Sequence, residues 1–215
     1  DLDGTIVDTE PVAVRALIRG FKNVGISLQR EDARYITGRK WEAAFEYLAG
    51  KYPEAKADPG LRPRILSYYR EWIEEKLPVV PGSVEMIEDL AKYCPLALVS
   101  GSRREDILWT LRKLEVLHHF SAVLGAEDYD RSKPAPDGFL KALKLLGVDS
   151  PFGLAFEDSA AGIRSARDAG LRVVAIGCTN YYAQDQTQAH YQIQDFQGMS
   201  WGKILELAGV LAADL

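Results

Sequence analysis

Four short stretches carry residue types that could do chemistry together. The chain opens on Asp1-Leu2-Asp3-Gly4-Thr5. In an extended segment alternate side chains leave on one side, so Asp1 and Asp3 can face one reacting centre while Gly4 lets the backbone turn behind them. One carboxylate of such a pair can attack phosphorus while the other protonates the departing oxygen. Read alone, Asp-Gly is also an ordinary turn.

The second stretch, Val99-Ser100-Gly101-Ser102, runs from an apolar segment toward a helix start. Hydroxyls and backbone N–H groups there can hold a phosphoryl oxygen, or the serines can simply cap the helix. The third is Lys133 within Arg131-Ser132-Lys133-Pro134-Ala135-Pro136, where the prolines stiffen the loop that presents an ammonium. A loop lysine standing by itself is otherwise a solvated charge. The fourth is Phe156-Glu157-Asp158-Ser159-Ala160-Ala161-Gly162, adjacent acids between an apolar segment and an alanine-rich one. Hard oxygen donors of this kind suit magnesium. Asp158 or Ser159 as a helix cap is the plainer alternative.

The elements that must position these residues fall into two textures. Residues 9–78 show helix-period apolar spacing, as in Val14, Leu17, Ile18, Phe21 and Val24, and again in Ile65, Tyr69, Trp72 and Ile73. This predicts a helical lobe broken at Gly25, Gly38 and the stretch 52–60. From Pro78 onward, short β-type runs (residues 96–100, 122–125, 153–156, 172–176 and 191–193) alternate with helical stretches (83–93, 103–114, 137–146 and 159–169). Such alternation predicts an α/β fold, a Rossmann-like, mostly parallel sheet sandwiched by helices, with the helical lobe inserted as a cap. The expected division is residues 1–8 and 79–215 for the α/β core and 9–78 for the cap. Ligands in such sheets bind beyond the carboxyl ends of the strands, where all four stretches would lie.

Composition excludes other classes. Acidic residues outnumber basic ones, 31 to 26, for a formal net charge of −5, so no field draws in nucleic acid or an anionic membrane surface. No apolar run reaches the roughly 18 residues a membrane span requires. Cys94 and Cys178 lie far apart and at no metal-ligand spacing, which suits a reducing compartment, and a cytoplasmic protein is expected.

In this order, each at a strand end, the four stretches resemble the motif set of the haloacid dehalogenase-like hydrolase superfamily. The inserted helical lobe and the run Asp8-Thr9-Glu10-Pro11 are most similar to its phosphoglycolate phosphatase and β-phosphoglucomutase group. The resemblance implies Asp1 as a nucleophile that forms an aspartyl phosphate, and Asp3 as general acid/base with its backbone carbonyl on the metal. It implies Ser100, Gly101 and Ser102 around the transferring phosphoryl group, and Lys133 steadying nucleophile and phosphate. Asp158, with Glu157 directly or through water, would complete a Mg2+ site begun by Asp1 and Asp3. Four acids that converge would repel one another without such a cation. The dehalogenase branch lacks the second aspartate of the first motif, so the presence of Asp3 disfavours carbon–halogen cleavage.

The implied activity is a magnesium-dependent phosphatase for a small phosphorylated metabolite of the sugar phosphate or phosphoglycolate type. A phosphomutase using the same intermediate is the enzyme alternative, and a non-catalytic binding protein the non-enzyme one. Arg39, at the Gly38 break, is expected to contact substrate from the cap, or else to be a solvated charge. Arg103 and Arg104, cations at a helix start, hint at an anionic neighbour. His118 and His119 have no partner at ligand spacing and read as a solvated helix end. A monomer or a dimer fits the composition. The family's first motif ends a buried strand, so residues upstream of Asp1 are expected to supply it.

Overall fold

The computed structural model describes residues 1–37, 41–181 and 183–207. By contact pattern the chain forms two compact units, Asp8–Pro78 and a second made of Asp1–Val7 with Val79–Leu215. No described helix is long and apolar enough to cross a membrane.

The second unit is the α/β one. Strand β1 (Leu96–Val99) pairs in parallel with β2 (Phe120–Leu124), and β3 (Leu154–Glu157), β4 (Arg172–Ile176) and β5 (Tyr191–Ile193) form a parallel sheet in that order. Parallel neighbours need crossovers, supplied here by helices such as α6 (Arg104–Lys113) between β1 and β2 and α8 (Ala160–Asp168) between β3 and β4. Helices α5 (Ser83–Leu90), α7 (Asp137–Leu146) and α9 (Trp201–Leu207) complete the cover. Burial on both faces explains why the strands read as continuous apolar runs. Along β3, Ala155 joins a core with Val99, Phe139, Ile163 and Val173, whereas Leu154 and Phe156 join a second core with Met86, Ile176, Phe196 and Ile204.

Two details depart from the expected sheet. Strand β2 begins at Phe120, before the apolar run that marked it, because Phe120 pairs with Leu96 while exposed Ser121 is skipped in the register before Ala122 pairs with Ala97. The strands gather into a two-stranded and a three-stranded sheet, and Asp1–Val7 is a tight turn rather than a ladder between them. There the Ile6 and Val7 N–H groups donate to the Leu2 carbonyl, at 2.8 and 3.1 Å, and the Gly4 N–H donates to the Val7 carbonyl at 2.7 Å. The Asp1 backbone nitrogen reaches the Phe156 carbonyl at 3.2 Å, which sets the turn against the end of β3.

The other unit is helical: α1 (Glu10–Asn23), α2 (Arg30–Ile36), α3 (Trp41–Lys51) and α4 (Leu61–Glu75), with a short 3-10 turn at Pro53–Ala57. Pro11 suits the first turn of α1, and Gly25, at φ 80°, supplies the left-handed residue just beyond its end. Helices α1 and α4 approach closely at Gly20, where a Cβ would lie 2.1 Å from Ile65 Cγ1. Leu17, Phe21, Leu48 and Ile65 form the apolar centre.

Inside this unit Asp32 is wholly buried. Its carboxylate accepts from the Gln29 N–H at 2.7 Å, Lys51 Nζ at 2.5 Å, Tyr52 OH at 2.6 Å and Tyr47 OH at 3.2 Å. Burial alone would raise its pKa. The bonds from Lys51, Tyr52 and the Gln29 N–H outweigh burial and hold the carboxyl below its ordinary 3.8. One acid thus ties α2 to α3 and to the turn after it. Asp32→Ala should destabilise the protein by about 3 kcal/mol in denaturant titrations at neutral pH, because its donors lose a charged acceptor. A carboxyl with a lowered folded-state pKa stabilises fully above its unfolded value and loses that only as pH falls through the folded one. The stability gap between wild type and D32A should therefore stay flat down to about pH 5 and close below about pH 4. A gap already closed at pH 5 would mean that Asp32 is protonated in the fold.

Candidate active site

The functional side chains converge at the carboxyl ends of β1 and β3. Glu157 is the last residue of β3 and fully buried, and Asp158 follows it into the turn before α8. Ser159 caps α8, its Oγ accepting the Gly162 N–H at 3.0 Å, so the capping role that Asp158 was also open to belongs to Ser159 alone. The small residues are required sterically. A Cβ on Gly162 would lie 1.9 Å from Glu157 Oε2, and one on Gly4, whose φ is 84°, would lie 2.2 Å from Asp158 Oδ2. The glycine of the first motif is therefore the wall against which the Asp158 carboxylate rests.

Lys133 joins the stretches. Its Nζ donates to Asp1 Oδ1 at 2.6 Å, to Glu157 Oε1 at 2.5 Å and to the Val99 carbonyl at 3.0 Å, using all three of its hydrogens. The loop carrying it is pinned where Ser165 Oγ, on α8, donates to the Ala135 carbonyl at 2.6 Å. One carboxylate oxygen from each of Asp1, Glu157 and Asp158 can be chosen so that all lie within 4.8 Å of one another. Three acids against one ammonium leave a negative excess. Burial first, then the neighbouring Glu157, pushes the Asp158 carboxyl up to about 7.

The Asp3 carboxylate lies outside that trio; its Oδ2 accepts from Ser102 Oγ at 2.7 Å. Ser100 is buried just past β1, with its Oγ accepting the Ser102 N–H at 3.0 Å and its carbonyl accepting from Tyr129 OH at 2.8 Å. Among the described residues the Ser100 hydroxyl donates to no acceptor, which leaves its hydrogen available. Gly101 is exposed, with open space where a side chain would stand. Arg39 lies outside the described residues. The anionic neighbours of Arg103 and Arg104 are the protein's own acids: Asp106 and Glu105 for the first, Asp128 for the second. The His118 and His119 rings lie against each other, centres 3.9 Å apart and tilted by 41°, away from any cluster of three metal-ligating groups among the described residues.

Several residues that hold this site went unread in the sequence. Besides Tyr129 and Ser165, Thr179 Oγ1 donates to the Gly4 carbonyl at 2.7 Å, and buried Gln186 donates to the Asp158 carbonyl at 2.5 Å. All four act on backbone carbonyls, for which a sequence carries no spacing signal.

Oxygen donors alone, packed without room for larger groups beside them, form a set suited to a hard divalent cation. The architecture and motif order agree with comparisons to known proteins. The chain is 31% identical over 219 residues to Protein CbbY of Rhodobacter capsulatus, covering 96% of each. It is 29% identical over 178 residues to the fructose-1-phosphate phosphatase YqaB of Escherichia coli (strain K12), covering 82% of this chain and 93% of that one. A β-phosphoglucomutase from Clostridium difficile shares the fold with a TM-score of 0.74 at 22% identity, over 97% of this chain and 95% of that one. The model of the haloacid dehalogenase-like hydrolase family matches residues 1–176, and the chain belongs to that family.

Proposed function

We propose that the chain is a magnesium-dependent phosphomonoesterase that hydrolyses a small phosphorylated metabolite, a sugar phosphate or phosphoglycolate type, through an aspartyl phosphate on Asp1. The observation that carries this reading is Lys133, a buried-side ammonium fixed on Asp1 beside two further acids that lack enough positive charge of their own. The relatives add weight, since one of them is named for phosphatase activity on fructose 1-phosphate. Asp1, Glu157 and Asp158 through their carboxylates, and Asp3 through its backbone carbonyl, are the proposed Mg2+ ligands. Bound there, the ion would neutralise charge on the phosphoryl oxygens.

The residues then divide the work. Lys133 aims Asp1 and adds a cation near the transferring group. Ser100, Gly101 and Ser102 form the phosphoryl-binding turn, with the unspent hydrogen of Ser100 as its donor. An Asp1 carboxylate oxygen attacks phosphorus, the ester P–O bond breaks, and Asp3 gives its proton to the departing alkoxide. In the second half, Asp3 takes a proton from water as the water oxygen attacks phosphorus. The bond to Asp1 breaks, and inorganic phosphate leaves. Ser102 keeps Asp3 in register between the two halves. Arg39 is the proposed substrate contact from the helical unit.

A panel of phosphorylated sugars and short hydroxy acids, assayed for phosphate release with Mg2+ and with chelator, tests the reading. Metal-dependent release of phosphate is expected; conversion of a sugar phosphate into its isomer without net phosphate release would make the enzyme a phosphomutase instead. Asp1→Asn should abolish turnover while the thermal unfolding midpoint stays near that of the wild type, since an amide cannot form the acyl phosphate. Persistent turnover in a preparation cleared of deamidated protein would remove Asp1 from the nucleophile's role. Asp3→Asn should slow phosphoenzyme formation more on an alkyl phosphate than on an activated aryl phosphate, whose leaving group needs little protonation. General-acid assistance is worth roughly 10²–10⁴-fold, so single-turnover measurements should resolve the difference. Equal deficits on both substrates, with Mg2+ binding intact, would make Asp3 a structural or metal-positioning residue instead of the acid/base.

A further inference from the structure

The segment between β4 and β5 fastens itself to the site at three backbone points. Thr179 Oγ1 donates to the Gly4 carbonyl at 2.7 Å, Gln184 Oε1 accepts the Ala160 N–H at 3.3 Å, and Gln186 Nε2 donates to the carbonyl of Asp158. Gln186 is the most constrained of these. It is buried at 7% exposure, and its Nε2 also donates to the Ile176 carbonyl at 2.8 Å, so both amide hydrogens are used. Its Oε1 accepts from Gln192 Nε2 at 3.0 Å. The orientation of the amide is dictated by chemistry, because two carbonyls on one side can only accept.

The place of these bonds matters. The β3–β4 ladder ends at Glu157 opposite Ala175, and the next residues on the two strands are Asp158 and Ile176. Beyond that point the backbones part, β3 toward α8 and β4 toward its loop. Gln186 spans the gap with one N–H to each carbonyl and so carries the pairing one residue further. The bond to its carbonyl fixes the peptide plane leaving Asp158 and thereby the direction of the Asp158 side chain, which Gly4 confines from the other side.

We propose that Gln186 is a positioning residue for the cation site: it holds the Asp158 carboxylate in the geometry that completes the trio with Asp1 and Glu157, without itself touching cation or substrate. The inference rests on the cation reading proposed above. Groups that orient metal ligands from behind typically matter by 10–100-fold in affinity.

Gln186→Met keeps the length and apolar stem of the side chain and removes both donors. Calorimetric titration of the substrate-free protein with Mg2+ alone should show affinity weakened about tenfold or more. The unfolding midpoint in chelator should stay close to that of the wild type, and kcat at saturating Mg2+ should stay within about threefold while the half-activating Mg2+ concentration rises in step with the measured affinity. A purely structural role would move the chelator midpoint and leave the Mg2+ affinity where it was. Gln192→Met, which leaves both donated bonds but frees Oε1, should weaken Mg2+ in the same direction by a smaller factor and serves if Q186M does not fold. Unchanged Mg2+ affinity in the folded variant overturns the proposal while the cation reading stands. Failure of the wild type to bind Mg2+ overturns the cation reading itself, and this proposal with it.

Discussion

The site depends on one ammonium group. Lys133 lies on a loop, yet its three hydrogens go to the end of β1, the end of β3 and the first residue of the chain. It is the contact among functional residues that ties the carboxyl ends of the two sheets together. Glu157 is fully buried, and a buried carboxylate is costly unless paired and hydrogen-bonded, so Lys133 is as much a condition for β3 ending in an acid as it is a partner for Asp1. The same dependence explains the pinning of its loop by Ser165. A flexible lysine on a mobile loop would spend side-chain entropy each time the pair formed; a fixed loop has already lost it.

Once Lys133 is spent on Asp1 and Glu157, Asp158 is left with too little positive charge, and its carboxyl is pushed up to about 7 by burial and by Glu157. Charge deficits of this kind mark sites shaped for something besides folding. The steric frame supports that view: Gly4 and Gly162 let the backbone come so close to Asp158 and Glu157 that any side chain would collide with them. The backbone is thus set around the acids, and the acids are set around the space between them.

The sequence disclosed the groups that do the chemistry and concealed those that aim them. Glu157 and Asp158 were legible because they are a charged break at the end of an apolar run, and such a break in a buried parallel strand has few explanations; Asp1 was legible from its alternation with Asp3 ahead of a glycine, and Lys133 from the prolines beside it. The helical lobe was legible from its period, and the boundaries of β4, β5 and α7 from apolar blocks. The beginning of β2 was not, because Phe120 pairs with Leu96 across an irregularity in which polar Ser121 is skipped and interrupts the apolar run. The charges at Arg103 and Arg104 suggested a ligand, yet they are answered by acids close in space, one of them 24 positions away in the chain. Tyr129, Thr179 and Gln186 act on carbonyl oxygens that every residue carries, so no residue pattern could reveal them.

Two aspartates, Asp32 wholly buried and Asp158 partly so, show how fold and site use the same group to opposite ends. Asp32 in the helical unit collects bonds from Lys51, Tyr52, Tyr47 and the Gln29 N–H, and its pKa falls below the ordinary value despite burial. Asp158 receives no side-chain donor among the described residues, and its pKa rises to about 7. Burial penalises both charges alike in kind; the supply of donors sets the sign. A carboxylate whose lone pairs are all engaged has finished its work when the protein folds. One held rigidly from behind, through its own backbone carbonyl and a glycine wall, but without a side-chain donor at its oxygens among the described residues, has its orientation fixed and binding capacity in reserve. That combination, orientation without saturation, separates a structural acid from one prepared for a ligand.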